Sequence, residues 1–280
     1  MKTSIKFFIP MLSLFLFSCG QSSENSKSGD DGKDSINVQL TPAGGWTMTV
    51  GGITVSEKTE SSAYPEAELS MSSPAGNLAS GSPAHFEFGI NNYDLQTQSP
   101  DADFQMCANS GKGQHIHLIL NNAPYLARYE TSFDEHLEDG NYVCLAFLSR
   151  SYHESIKNGK AYVLNTFSVG DVESTDVDLS AAHLFYSRPK GTYTGDDTHK
   201  VLLDFFLTNC DLSEDGYYVK VSIDGNDFNL TKWVPYWIEG MPMGENTIRL
   251  ELLDASGNKV DSPFNPVERT IILEDTPIAS

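Results

Sequence analysis

The chain reads as all-β, two tandem antiparallel β-sandwiches, and three observations predict it. From Val38 onward, short runs of alternating apolar and polar residues are separated by Gly, Pro, Asn and Asp turns, with no amphipathic stretch of helical period long enough to matter. The second observation is an internal duplication. The third is the size of each copy, roughly 100 residues, which suits an immunoglobulin-like sandwich.

Taken in order, the first residues read as a targeting segment. Lys2 and Lys6 form a basic head and Phe7 to Phe17 an apolar core too short for a mature membrane span. The segment ends Leu16-Phe17-Ser18-Cys19-Gly20, which resembles a bacterial lipobox. That resemblance implies cleavage after residue 18, acylation of Cys19, and a mature protein held to the cell envelope, most readily at the outer membrane, by a lipid anchor. Residues 19–37 then read as anchor and flexible tether, rich in Ser, Gly, Asp and Lys.

The 280 residues carry 18 basic and 38 acidic side chains, a net charge of −20. Loss of the leader removes two lysines and no acids. So acidic a body lacks the basic footprint that nucleic acid demands. Beyond Cys19 the cysteines are Cys107, Cys144 and Cys210. Cys107 and Cys144 are candidates for a disulfide if the loop bearing Cys107 folds back over the strand bearing Cys144.

The folded body divides into sandwich 1, residues 38–172, and sandwich 2, residues 173–275. Trp46 to Val50 and Ile53 to Lys58 flank Gly51-Gly52 as a hairpin. Four blocks of the first copy then recur in the second. Leu69 to Gly76 matches Leu184 to Gly191, and Glu87 to Leu95 matches Asp204 to Leu212. Ile116 to Asn122 matches Val219 to Gly225, and Val143 to Phe147 matches Ile248 to Leu252. The shared apolar positions predict which side chains face the core. By this parity Ile116, Leu118 and Leu120 point inward, while His115, His117 and Ile119 point outward. In the later strand Val143, Leu145 and Phe147 are expected inward and Cys144 outward.

Candidate chemistry gathers at one rim of sandwich 1. The strand holding His115 would be strand C and that holding Cys144 strand F, antiparallel neighbours. Their shared end brings His115 and His117 near Arg150, His153 and Glu154. The loop entering strand C is about fourteen residues longer than its counterpart in the second copy, and grafted function favours such loops. Histidines two apart on a strand lie about 6.5–7 Å apart at Cα on one side. They can hold Cu²⁺ or Zn²⁺, with His153, Glu154 or Cys144 completing the set. Two other readings compete: outward polar residues without a ligand, or a small anionic ligand held by Arg150 beside the histidines.

In sandwich 2, Lys232 to Trp237 places three large rings in six residues. Trp233 and Trp237 read either as a stacking platform for a glycan or a partner chain, or as a strand edge packing the core. No nucleophile elbow, catalytic carboxylate pair, phosphate loop or zinc-protease helix appears, so the expectation is a binding protein, not an enzyme. A glycan-binding or adhesion module, similar in layout to the multi-sandwich lipoproteins of polysaccharide uptake, and a structural spacer for an envelope protein complex are the alternatives.

Gly113-Gln114-His115-Ile116-His117, Asn122 to Tyr125, Ser149 to Ser155 and Pro263 to Thr270 together resemble a group of poorly characterised, Bacteroidetes-type bacterial lipoproteins. Some members carry a phosphopeptide-binding label. The resemblance implies an envelope address and a tandem-sandwich architecture.

Overall fold

The computed structural model describes residues 37–40, 45–173 and 175–275. Residues 1–36, with the leader, Cys19 and almost all of the expected tether, lie outside the described residues. The described part is built of strands and two short 3₁₀ turns.

Sandwich 1 pairs a three-stranded sheet, β4 (Glu68–Ser73), β6 (Ala84–Asn91) and β9 (Ser132–Glu135), with a five-stranded one. The latter runs β5 (Gly76–Leu78), β11 (Tyr162–Val169), β10 (Gly140–Ser149), β7 (His115–Leu120), β8 (Leu126–Arg128). Sandwich 2 repeats the plan. Its β12 (His183–Arg188), β14 (Val201–Thr208) and β17 (Tyr236–Glu239) form one sheet. Its β13 (Gly191–Thr194), β19 (Val267–Glu274), β18 (Gly244–Leu253), β15 (Tyr218–Ile223) and β16 (Asn226–Leu230) form the other. Each copy is an immunoglobulin-like sandwich, and strand follows strand in the same order.

The N-terminal hairpin departs from the expected division. β1 (Asn37–Leu40), β2 (Trp46–Val50) and β3 (Ile53–Glu57) precede sandwich 1 in the chain but extend the sheet of sandwich 2, β3 pairing antiparallel with β17. Ile53 and Val55 are buried in the core of sandwich 2. The division at residues 38–172 therefore needs correcting for this segment. Tight-turn chemistry explains the hairpin itself. Gly51 and Gly52 both have positive φ (57° and 84°), which a two-residue turn between twisted strands requires.

Among the described residues, three cores separate four sheets. One lies inside sandwich 1, with Phe86, Phe88, Ile116, Leu118 and Phe167. Another fills sandwich 2, with Phe205, Val221, Tyr236 and Leu250 among its members. The third lies between the sandwiches, where Ile119, Val143, Leu145 and Phe147 meet Phe185 and Phe206. This third core explains why β12 and β14 are buried on both faces and why HLFYSR and VLLDFFLT read as continuous runs.

The third core also corrects the parity of β10. Cys144, Ala146 and Leu148 face the interior of sandwich 1, while Val143, Leu145 and Phe147 face sandwich 2. Strand register accounts for this, since Cys144 stands opposite Leu120 and Leu145 opposite Ile119, and opposed residues share a face. The equivalent pairing in sandwich 2 sets Ile248 opposite Ile223, so the true counterpart of Ile248 is Cys144, not Val143. A one-residue slip in matching the copies inverted the whole strand. Cys144 is consequently buried in a core, and Cys107 sits on the loop before β7. Both thiols are free, so the Cys107–Cys144 disulfide is absent. Burial pushes the Cys144 thiol up to about 12.

Candidate metal centre between the sandwiches

β7 alternates, so His115 and His117 leave the same face of the strand. That face is turned toward sandwich 2, and both side chains are fully buried. Outward from one sandwich thus means inward between two. Chain geometry at the entry to β7 supports the placement. Gly113 has φ 84°, and a Cβ there would meet the Thr97 carbonyl oxygen at 2.6 Å. The Gly113 carbonyl in turn accepts a hydrogen bond from His115 Nδ1 at 2.8 Å.

His153 comes from the loop after β10. It adopts φ 67°, a left-handed conformation that histidine tolerates better than most residues. The loop is pinned by Arg150 N–H to Glu154 O and His153 N–H to Arg150 O, each 2.9 Å. The result is a cluster of three imidazoles. His115 Nε2 lies 2.9 Å from His117 Nε2 and 3.1 Å from His153 Nδ1. Among the described residues, no carboxylate or thiolate belongs to the group.

The outer nitrogens determine what the inner ones can do. His115 Nδ1 faces a carbonyl and must carry the proton, leaving a lone pair on Nε2. His117 Nδ1 lies 3.2 Å from Ser187 Oγ of sandwich 2, which can accept its proton and free a second lone pair. Histidines that bind metals are commonly anchored in this way through the remote nitrogen. Burial lowers all three pKa values, that of His115 to about 4, and so keeps the rings neutral. Four-coordinate Zn–N bonds of about 2.0–2.1 Å would set the nitrogens about 3.3 Å apart, so the two short pairs need to open by a few tenths of an ångström and the third pair, within 4.8 Å, to draw in.

Sandwich 2 and the loop after β7 supply a wall that sequence reasoning missed. The Tyr125 ring stacks on His117 with centroids 3.5 Å apart and planes 8° off parallel, and its hydroxyl lies 3.2 Å from His153 Nδ1. Lys190 Nζ sits 3.7 Å from the same ring centroid, on the face His117 leaves free. Arg188, buried at the end of β12, places its guanidinium 6.0 Å from it. The signals were present: Tyr125 stood in the Asn-Ala-Pro-Tyr motif, and Ser187-Arg188 in a duplicated block. What lacked was any hint that the second copy folds over the first.

Arg150 and Glu154 require the opposite correction. They belong to a separate buried network and do not face the histidines. Glu154 pairs with Lys58 at 2.8 Å and with Arg150 at 3.0 Å. Arg150 also donates to the carbonyls of Ser62 and Ser155. This network ties the segment after the hairpin to the His153 loop, and it leaves no free guanidinium for an anion. Trp233 and Trp237 are likewise not a platform. Trp237 is 9% exposed. Trp233 is half-buried against Phe206, with its indole N–H donating to Phe205 O at 3.0 Å.

No protein-family model matches the chain, and no curated protein does. Solved structures similar to it include fibronectin(III)-like modules of Clostridium thermocellum CbhA, at 10% identity and TM-score 0.27 over 76% of this chain and 97% of that one. SGBP-B of the Bacteroides ovatus mixed-linkage glucan utilization locus, in complex with a heptasaccharide, gives 8% identity and TM-score 0.23 over 74% of this chain and 71% of that one. The tandem V-type regions of VCBP3, a chitin-binding protein, give 7% identity and TM-score 0.21 over 74% and 99%.

Proposed function

We propose that this chain is a cell-envelope lipoprotein, anchored through Cys19, that binds one copper or zinc ion at His115, His117 and His153. It acts as a binding protein and not as an enzyme. One observation carries the reading: three imidazoles converge within 4.8 Å, His115 Nε2 lying at hydrogen-bond distance from the other two, with the outer nitrogens of His115 and His117 held by Gly113 O and Ser187 Oγ. The half-buried His153 offers the path by which an ion enters. Because Ser187 belongs to sandwich 2, a bound ion would also fasten the two sandwiches, and binding would appear as added stability.

The test is elemental analysis of protein purified without an affinity tag, followed by thermal unfolding with and without Cu²⁺ or Zn²⁺. One equivalent of metal and a raised melting temperature, both lost in His117→Ala, are expected. Absence of metal together with an unchanged melting temperature removes the proposal.

A further inference from the structure

We infer that the centre prefers a cuprous ion to any divalent one, an inference that rests on the metal-binding reading above and goes beyond it to the charge of the ion. Two independent observations lead there.

The first is charge. Every donor in the cluster is neutral, since the group consists of imidazoles alone. Fixed charge nearby is positive. Arg188 is 6% exposed and cannot lose its proton. Its NH1 donates to the phenol of Tyr193 at 2.7 Å, and its Nε has no partner among the described residues. Asp197 feels the field of this guanidinium, and among the described residues no ion pair joins Arg188 to an acid. Lys190 lies on the far face of Tyr125, donating to the Tyr125 carbonyl at 2.6 Å. A divalent ion would add two positive charges beside these cations in a buried place, with no anionic ligand to offset either. A cuprous ion adds one.

The second is ligand number. Zn²⁺ takes four ligands, or three with a water at an open position. Here two of the three rings are fully buried, and the remaining polar group at the cluster is the Tyr125 hydroxyl. A protonated phenol is a neutral and therefore weak fourth ligand. A d¹⁰ cuprous ion is content with three nitrogens in a plane and asks for no fourth.

The experiment is a set of competition titrations at neutral pH on untagged, metal-free protein. Cu⁺ is titrated against bicinchoninate without oxygen, and Zn²⁺ and Cu²⁺ against chromogenic chelators of known affinity. Cu⁺ is expected to bind at least about tenfold more tightly than either divalent ion. Arg188→Gln should narrow that gap by strengthening divalent binding while leaving Cu⁺ less affected. Lys190→Met, which removes a half-exposed cation, should move it the same way by less, and serves if the arginine variant does not fold. Divalent binding equal to or tighter than Cu⁺ in the parent protein overturns the inference while leaving a metal site. No binding of any of the three ions removes both.

Discussion

The two sandwiches use the same strands for opposite ends. On β15 and β18 the outward residues are Lys220, Ser222, Arg249 and Glu251, where Lys220 pairs across the strands with Glu251 and Arg249 pairs with Glu251 along β18. On the equivalent β7 and β10 the outward residues are His115, His117, Ile119, Val143, Leu145 and Phe147, all buried. Strand geometry is identical, and the difference is that a second sheet covers one face and water covers the other. Alternation tells which residues share a side. It does not tell what lies beyond that side.

The largest test of this contrast is a pair of truncations. Phe147→Ala opens the core between sandwiches and should cost about 3–5 kcal/mol in denaturant unfolding. Arg249→Ala at the open counterpart should stay within about 0.5 kcal/mol. Similar costs for both would break the comparison.

Acid should expose the same asymmetry in metal-free protein. His115 is held neutral to about pH 4 when folded but titrates near 6.5 when unfolded. Between those values the unfolded chain binds the extra proton, so stability falls as pH drops from 6.5 toward 4. The loss attached to His115 is about 3 kcal/mol at most. His115→Gln should flatten that part of the stability curve, and an unchanged curve would show that the ring is not held neutral.

Trp233→Phe removes the indole bond to Phe205 O while keeping most of the ring, and should cost about 1 kcal/mol. The smallest effect is expected from grafting. Tyr218→His with Lys220→His copies the pair onto β15, yet neither a third imidazole nor a covering sheet exists there. Metal analysis should find no added equivalent, and an added one would mean that the paired histidines alone suffice.

The strand repeat was legible because it rests on local signals: turn residues, alternation and matched Leu-Pro-Gly blocks. The meeting of His117 and His153 was legible for the same reason, since neighbouring strands in a sandwich share an end. The covering sheet was not, because HLFYSR and VLLDFFLT look alike whether their second face meets solvent or protein. The fate of Glu154, and through it Arg150, depended on Lys58, which reaches Glu154 from a segment nearly 100 positions earlier in the chain. A cross-chain partner of that kind leaves no periodic trace.

The hairpin that joins sandwich 2 has a consequence for how the molecule is made. A polypeptide leaves the ribosome amino end first. Glu57 finds its partner Tyr236 only after all of sandwich 1 and much of sandwich 2 have emerged. Until then Ile53 and Val55 have no core to enter, and their strand is an open edge. Docking of the earliest strands is thus among the last events of folding, and a factor that shields them until then would act on this stretch.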